Sequence, residues 1–547
     1  MMQSVFSLVK RKIRSLTNLK SEQFEQFFGR RFFRIDVGLF FVLLFIIVYA
    51  MVFSYFTVLK HNVFRSYAWD LGMNDQVFWT TLNEGKLFYS TPELFFNPSG
   101  SYFGLHFSPI MFLVLPVYAI NQAPEALLVF QSFLLGIGAL PLYLLARDGT
   151  NSKLMGVTFA LTYLLYPILH GINWFDFHVQ AFLPVVFFSA IYFLMHEKWL
   201  KFYFFIFLSL MIAENVSFVV LFVGLYTIWL YRKPMLQAIK QRGIIDRRIL
   251  VPPLTIAMAI FWFLAVRWIQ NTFFPLNPNF SQFYRAVNYH SVLGVGSDPV
   301  LLPVYVILNP LRALEALAYD AYLKLAFVLL LFGGLLFLPF RSSISFITLA
   351  WLGPALLSNY QPYYMMGDHY PAYVIPFVFA AAVYAVGKYR AKGLSLSKLG
   401  SQARNLLIVG VLFSLFASPI TPLLGTTSVL VPYFSEYGAP VPTEHIATLF
   451  ETIQLVPSNA SVLTQNNLFP HFSSRANAYV LPLPDAMEFA PFAMNSYVNR
   501  LLNESEYVLI DTKTDEYKAR ELIFSRIGTL NFSELVANDG IYLFRRN

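Results

Sequence analysis

The chain has 547 residues, of which 57% are hydrophobic, 18% aromatic and only 13% charged, about half the charged share of an ordinary soluble domain. It contains no cysteine, which excludes a disulfide framework, a thiolate metal site and a cysteine nucleophile. The net charge is +9, yet residues 431–547 hold eight basic against thirteen acidic side chains. The positive excess therefore lies upstream, mostly in short connectors between apolar runs, where the positive-inside rule accounts for it without nucleic acid.

Residues 1–36 carry eight Lys and Arg and read as a cytoplasmic basic segment. The apolar run that follows lacks a small-residue cleavage site, which marks a retained signal anchor. Residues 37–422 read as the transmembrane domain, with candidate helices near 38–59, 124–146, 152–170, 179–196, 202–213, 216–231, 250–268, 322–339, 343–358, 371–388 and 405–421. Each is near the roughly 20 residues that a bilayer core demands, or is short enough to pair with a neighbour. Basic clusters at 10–34, 147–153, 196–201, 232–248 and 388–404 belong on the inner side.

The run 107–120 is too short to cross and reads as an interfacial or re-entrant helix. The long run 202–231 is split at Glu214-Asn215, which keeps both flanking basic loops inside. Residues 431–547 alternate strand-like patches such as YVLID and GIYLF with amphipathic stretches such as EYKARELIFSRI, the pattern of a small α/β domain. In it Asp511 follows a strand, ordinarily a structural place for an acid. The expected fold is thus an all-α polytopic membrane domain of about eleven transmembrane helices with a small extracytoplasmic α/β C-terminal domain. The N-terminus is expected in the cytoplasm, the C-terminus outside, and the chain in the cell membrane. Sequons at Asn215, Asn279, Asn459, Asn503 and Asn531 occur about as often as chance gives.

On this topology the acids and histidines gather on the external side. The loop 60–123 holds RSYAWDLGMNDQVFW, with Asp70 and Asp75, and then GLHFSP with His106. NWFDFH supplies Asp176 and His178, Glu214 tops the split hairpin, and YYMMGDHYP supplies Asp368, His369 and Tyr370. Ionisable groups at a membrane edge are costly to keep and mark functional sites, although helix caps and interfacial anchors use the same residue types. Asp70, Asp75, His106, Asp176 and His178 are the candidate catalytic residues, and Glu214, Asp368, His369 and Tyr370 candidate substrate contacts. Arg267 and Arg285 are candidate phosphate ligands through bidentate hydrogen bonds, with headgroup snorkelling the alternative for Arg267. Asp70, Asp176 and His178 form a candidate Mg²⁺ or Mn²⁺ set, a plain Asp-His hydrogen bond being the other reading.

WDLGMNDQVFW, HFSPIMFLVLPVYAI, LLVFQSFLLGIGALPLYLLAR, FDFHVQAFLPVVFFSAIYFL and GDHYPAYVIPFVFAAAVY resemble, in order and spacing, domain-of-unknown-function family 2079, a family of archaeal and bacterial predicted membrane proteins. The likeness runs from about Tyr67 to Tyr389. The layout is more distantly similar to the GT-C membrane glycosyltransferases, in which an acid follows the first helix and a short interfacial helix comes next. Asp70 matches the loop acid, and His106 with Pro109 opens the interfacial segment. Asp70-Leu71 stands where relatives pair Asp with Glu, and HFSP where they double proline. The resemblance implies inverting transfer of a sugar from a polyprenyl-phosphate donor at the external face, with Asp70 as general base, Arg267 or Arg285 on the phosphate, and membrane lipid and lipid-linked sugar as partners. A transporter or flippase using the same acids, or a non-enzymatic membrane surface protein, are the competing readings.

Overall fold

The computed structural model describes residues 21–32, 35–240, 246–278, 289–295, 301–482, 487, 490–514 and 519–547. The long first helix α1 (Val37–Asn62) starts where Asp36 accepts the Leu39 N–H at 2.7 Å, satisfying one of the four donors a helix start leaves open. α2 (Met73–Glu84) follows the Asp70 turn, and the interfacial candidate 107–120 forms only α3 (Met111–Tyr118). Eight residues give α3 a length of about 12 Å, well short of a bilayer core.

The bundle continues with α4 (Pro124–Thr150), α5 (Lys153–Leu164), α6 (Pro167–Trp174), α7 (Val179–Met195), α8 (Trp199–Leu210), α9 (Val216–Leu230), α10 (Arg247–Phe273), α11 (Pro310–Ala318), α12 (Ala321–Gly333), α13 (Ser343–Leu357), α14 (Ile375–Ala391) and α15 (Leu396–Ala417). The count of eleven crossings is corrected here. By length and composition four described helices, α1, α4, α10 and α15, are long and apolar enough to span a membrane, or six if the bent pairs α5–α6 and α11–α12 each count once. Two apolar runs are bent: α5 and α6 meet at 44° before Pro167, where proline lacks the N–H and clashes with the preceding turn, and α11 and α12 meet at 77° across Tyr319-Asp320, with Asp320 in the left-handed region at φ 52°. Large apolar side chains stand exposed along α1, α8, α10 and α15, among them Ile47, Met51, Phe204, Leu264 and Leu415, a surface that only lipid or protein satisfies. The chain is a multi-pass membrane protein.

The two ends of the bundle differ in charge. Where α1 starts, Lys153 reaches Asp36 at 3.5 Å, Arg147 pairs with Asp148 at 2.6 Å, and Arg248 with Glu197 at 2.8 Å. The close approach of Gly387 to the Gly149 carbonyl brings the 388–404 segment to that end as well. The Asp70 loop and the basic 390s lie at opposite ends of the helices.

After α15 the chain forms α16 (Glu444–Gln454), β1 (Val462–Thr464), β2 (Ala478–Val480), α17 (Pro491–Glu504), β3 (Tyr507–Asp511), α18 (Ala519–Ile527), β4 (Phe532–Asn538) and β5 (Ile541–Arg546). They build one sheet in the order β2-β1-β3-β5-β4, parallel across β2-β1-β3 and antiparallel beyond. Central β1 and β3 are buried on both faces, as parallel strands require. One face packs Leu449, Val462, Phe469 and Leu543 with Phe64 and Ala68 of the Asp70 loop, and the other packs Val498, Leu501, Val508 and Ile523. The small α/β domain is therefore seated on the end of the bundle where α1 finishes: His61 stacks on His471 at 4.2 Å and 8°, and Gln76 Nε2 donates to the Arg475 carbonyl at 2.9 Å.

Asp511 is structural. His445 Nε2 lies 3.0 Å from its Oδ2, His445 Nδ1 lies 2.7 Å from Asp539 Oδ2, and Thr514 Oγ1 donates to Asp511 at 2.6 Å. Both ring nitrogens thus face carboxylates, which needs the imidazolium. Burial disfavours that charge, but the two acids outweigh it and His445 titrates above its ordinary value.

Two outcomes follow from the seating and the clamp. At Gly72 an added Cβ would stand 2.5 Å from Phe469 Cδ1, on a ring that is fully buried, so Gly72→Ala should lower thermal stability by about 1–3 kcal/mol, measured by thermal unfolding in detergent. Because the His445 value is raised, its contribution is complete below about pH 6.5 and fades as pH rises through the shifted value. Melting should therefore fall between pH 6 and 9 by an amount on the order of 1 kcal/mol, and His445→Gln should flatten that slope.

Candidate functional site

Asp70 lies in a single π-type turn, Ala68–Gly72, closed by Gly72 N–H donating to the Tyr67 carbonyl at 3.1 Å. Such one-turn widenings recur at functional positions. The turn is pinned from two sides. Ala68 N–H donates to Asn466 Oδ1 of the small domain at 2.9 Å, while Asn74 Nδ2 donates to the carbonyls of Asp70 at 2.9 Å and Phe177 at 3.2 Å. What remains open is the Asp70 carboxylate, 24% exposed, with Oδ1 at 3.2 Å from His178 Nε2.

The other nitrogen of His178, Nδ1, lies 2.9 Å from the Asp176 carbonyl. A carbonyl only accepts, which assigns a proton to Nδ1; Nε2 then faces a carboxylate without repulsion only when a second proton lies between them. The geometry is that of an imidazolium–carboxylate pair. Burial pulls the His178 value down, but the hydrogen bond and charge of Asp70 outweigh it and the value is raised.

His369 lies flat on His178, with ring centroids 4.0 Å apart and planes at 10°. Two imidazoles this close do not both carry charge. Burial first, and the charge on His178 second, hold His369 well below its ordinary value. Beside it Asp368 is pushed up to about 7, chiefly by burial and against the pull of His178 and two backbone N–H groups. The exposed acid and the buried acid thus sit in unlike environments, an arrangement that separates a proton acceptor from a proton holder. Tyr370 continues the row, its ring 4.1 Å from His369 and stacked at 5.4 Å and 12° on Trp351.

At the rim, His106 Nδ1 lies 3.1 Å from Glu214 Oε1, and Phe107 N–H donates to Glu214 Oε2 at 3.2 Å. Glu214 occupies the break between α8 and α9, as the split of the long apolar run requires. The charges of Asp70 and His106 are both felt at His369, so loops from four parts of the chain converge on one polar patch: 70, 106 with 214, 178, and 368–370.

The family model described as "Predicted membrane protein (DUF2079)" matches residues 60–543. The chain belongs to this family. Archaeal oligosaccharyltransferase AglB from Archaeoglobus fulgidus, in complex with an inhibitory peptide and a dolichol-phosphate, aligns at 12% identity and a TM-score of 0.39 over 93% of this chain and 74% of that one. The Archaeoglobus fulgidus oligosaccharyltransferase tethered through a disulfide bond to an acceptor peptide containing the NVT sequon aligns at 13% identity and a TM-score of 0.39, with the same coverage. No curated protein matches.

In this family member several expected site residues stand elsewhere. Asp176 turns from the Asp70 patch: its Oδ1 pairs with Lys60 Nζ at 3.1 Å and its Oδ2 accepts the Tyr67 N–H at 2.7 Å, with Lys60 and Asp176 both almost fully buried. Asp176 thus faces Lys60 and the Tyr67 N–H while Asp70 and His178 face each other, and among the described residues no three or more His, Cys, Asp or Glu are clustered in ion-binding geometry. Asp75 is fully buried and ties α2 to its neighbours, accepting from Tyr118 at 2.5 Å, Ser473 at 2.7 Å and Ser474 at 2.8 Å. Burial, only partly offset by those three hydroxyls, raises its carboxyl to about 6. Arg267 is exposed near the end of α10, one turn before Gln270, whose Nε2 donates to the Phe103 carbonyl at 3.1 Å. Arg285 lies outside the described residues.

Three residues that hold the patch were not singled out in the sequence. Lys60 reads there as a helix-flanking cation, and Asn466 as one amide in a polar stretch. Gln131 donates to the Phe175 carbonyl at 3.1 Å and accepts the His178 N–H at 2.8 Å; a lone amide in an apolar helix was the signal available. Lys60→Met leaves Asp176 charged and buried without a partner, so it should destabilise the fold by roughly 3–5 kcal/mol, read as a lowered unfolding midpoint in detergent.

Proposed function

We propose that this chain is a GT-C-like membrane glycosyltransferase that moves a sugar from a polyprenyl-phosphate donor to an acceptor hydroxyl at the external membrane face. The observation that carries this reading is the Asp70–His178 pair: a partly exposed carboxylate, fixed by an imidazole at 3.2 Å, in the loop between the first long apolar helix and a short non-spanning one. That order is the layout the sequence shares with GT-C enzymes. The orientation follows from charge, since the basic connectors gather at the opposite end of the bundle and belong on the cytoplasmic side. The small C-terminal domain then lies outside the cell and forms one wall of the site.

In the reaction the acceptor oxygen attacks the anomeric carbon from the face opposite the phosphate, and its proton passes to the free oxygen of Asp70. His178 holds Asp70 in place by its Nε2–H, as a base must lie within hydrogen-bond reach of the proton it takes. Arg267, exposed at the end of α10, supplies a cation for the departing phosphate. The exposed apolar flanks of the bundle give the prenyl tail a place to lie.

Asp70→Asn keeps size and polarity and removes the base. Sugar transfer from a polyprenyl-phosphate sugar by the purified chain should fall by about 10²–10⁴-fold, with the melting temperature little changed. Full turnover in that variant would remove Asp70 from the mechanism, and substrate-dependent ion flux in vesicles without transfer would favour a transporter.

A further inference from the structure

We infer that His106, backed by Glu214, joins Arg267 in holding the phosphate of the lipid-linked donor, a role that rests on the glycosyltransferase reading above. Glu214 is a rigid backing: its side chain is 16% exposed, and its two oxygens are taken by His106 Nδ1 and the Phe107 N–H. The carboxylate fixes the imidazole through Nδ1. The His106 side chain itself is 48% exposed, and its Nε2 makes no hydrogen bond among the described residues. With Nδ1–H held by the Glu214 carboxylate, the imidazolium form presents a single directed Nε2–H to an anion.

Its surroundings select a phosphate that carries a lipid. Ile110 N–H donates to the Met211 carbonyl at 3.0 Å, joining the start of α3 to the end of α8. Trp262 of α10 lies against both Phe107, at 6.4 Å, and Phe207, at 5.6 Å. Below His106, Phe112, Phe207 and Leu264 expose apolar faces. A phosphate at Nε2 therefore has an apolar path for its tail along α3, α8 and α10, and Asp70 stands across the patch for the acceptor.

The step balances with these groups. The acceptor oxygen bonds to the anomeric carbon while the bond from that carbon to the phosphate oxygen breaks, and the electron pair stays on the phosphate. The acceptor proton goes to Asp70, and the His106 imidazolium donates its Nε2–H to the phosphate oxygen that gains charge. Glu214 is a positioning residue.

The test uses the full chain in detergent micelles and follows intrinsic tryptophan fluorescence against three probes: a long-chain polyprenyl phosphate, the matching polyprenol and inorganic phosphate. His106→Gln should weaken the polyprenyl phosphate about tenfold, the effect of one charge-assisted hydrogen bond. It should leave the polyprenol unchanged, which also reports an intact fold, and His106→Lys should restore most of the loss. Unchanged affinity for polyprenyl phosphate in His106→Gln, or an equal loss for the polyprenol, overturns the assignment. Inorganic phosphate binding as tightly as the lipid, and weakening by the same factor, overturns the lipid source. Asp70→Asn should bind polyprenyl phosphate as the native chain does, so a failure of sugar transfer and a failure of this site are read separately.

Discussion

Lys60 ends α1 by giving its ammonium to the Asp176 carboxylate and the Trp174 carbonyl, in a place where neither charge meets water. Bringing two such charges out of water costs several kcal/mol each, so the pair adds little net stability and its worth lies in what it fixes. Because Asp176 also accepts the Tyr67 N–H, one carboxylate joins the end of the first helix, the turn before α7 and the first residue of the Asp70 loop. Move that carboxylate and the loop loses its origin. The stacked imidazoles, the exposed acid and the seat of the small domain are all placed relative to this point.

The rest of the site is arranged to carry few charges in little space. Against burial, Asp70 raises the His178 value; burial first and the charge of His178 second lower that of His369; and burial pushes the Asp368 carboxyl up to about 7. A low-dielectric patch tolerates such a group of titratable side chains only when neighbours alternate in this way. Asp75, with three hydroxyls around it, follows the same economy a short distance along the chain, where it serves the contact between domains.

Much of this was legible in the sequence, and the failures have physical causes. The segments that meet at the site were each found by an acid or imidazole at the edge of an apolar run, because retaining such a group there is costly. Which partner each group takes was not legible. Asp176 and His178 are two apart, and extended backbone would point them the same way, but the His178 ring folds back onto the Asp176 carbonyl and sends the two side chains to different partners. Lys60 buries its ammonium against the Trp174 carbonyl and Asp176, and nothing local distinguishes it from an ordinary cation at a helix end. The helices fared likewise: the apolar runs were found, but Pro167 breaks one of them, and several others stay shorter than a bilayer. The small domain read as α/β from its alternation, although its docking on the Asp70 loop uses contacts such as Ala68 with Asn466, 398 residues apart in sequence.

That distance in sequence has a consequence for biogenesis. Ala68 waits for Asn466, and Gly72 for Phe469, so the loop bearing the open carboxylate takes part of its packing from a segment synthesised after the whole bundle. A chain ending after α15 would hold the described helices of the bundle and lack both of these contacts to the loop.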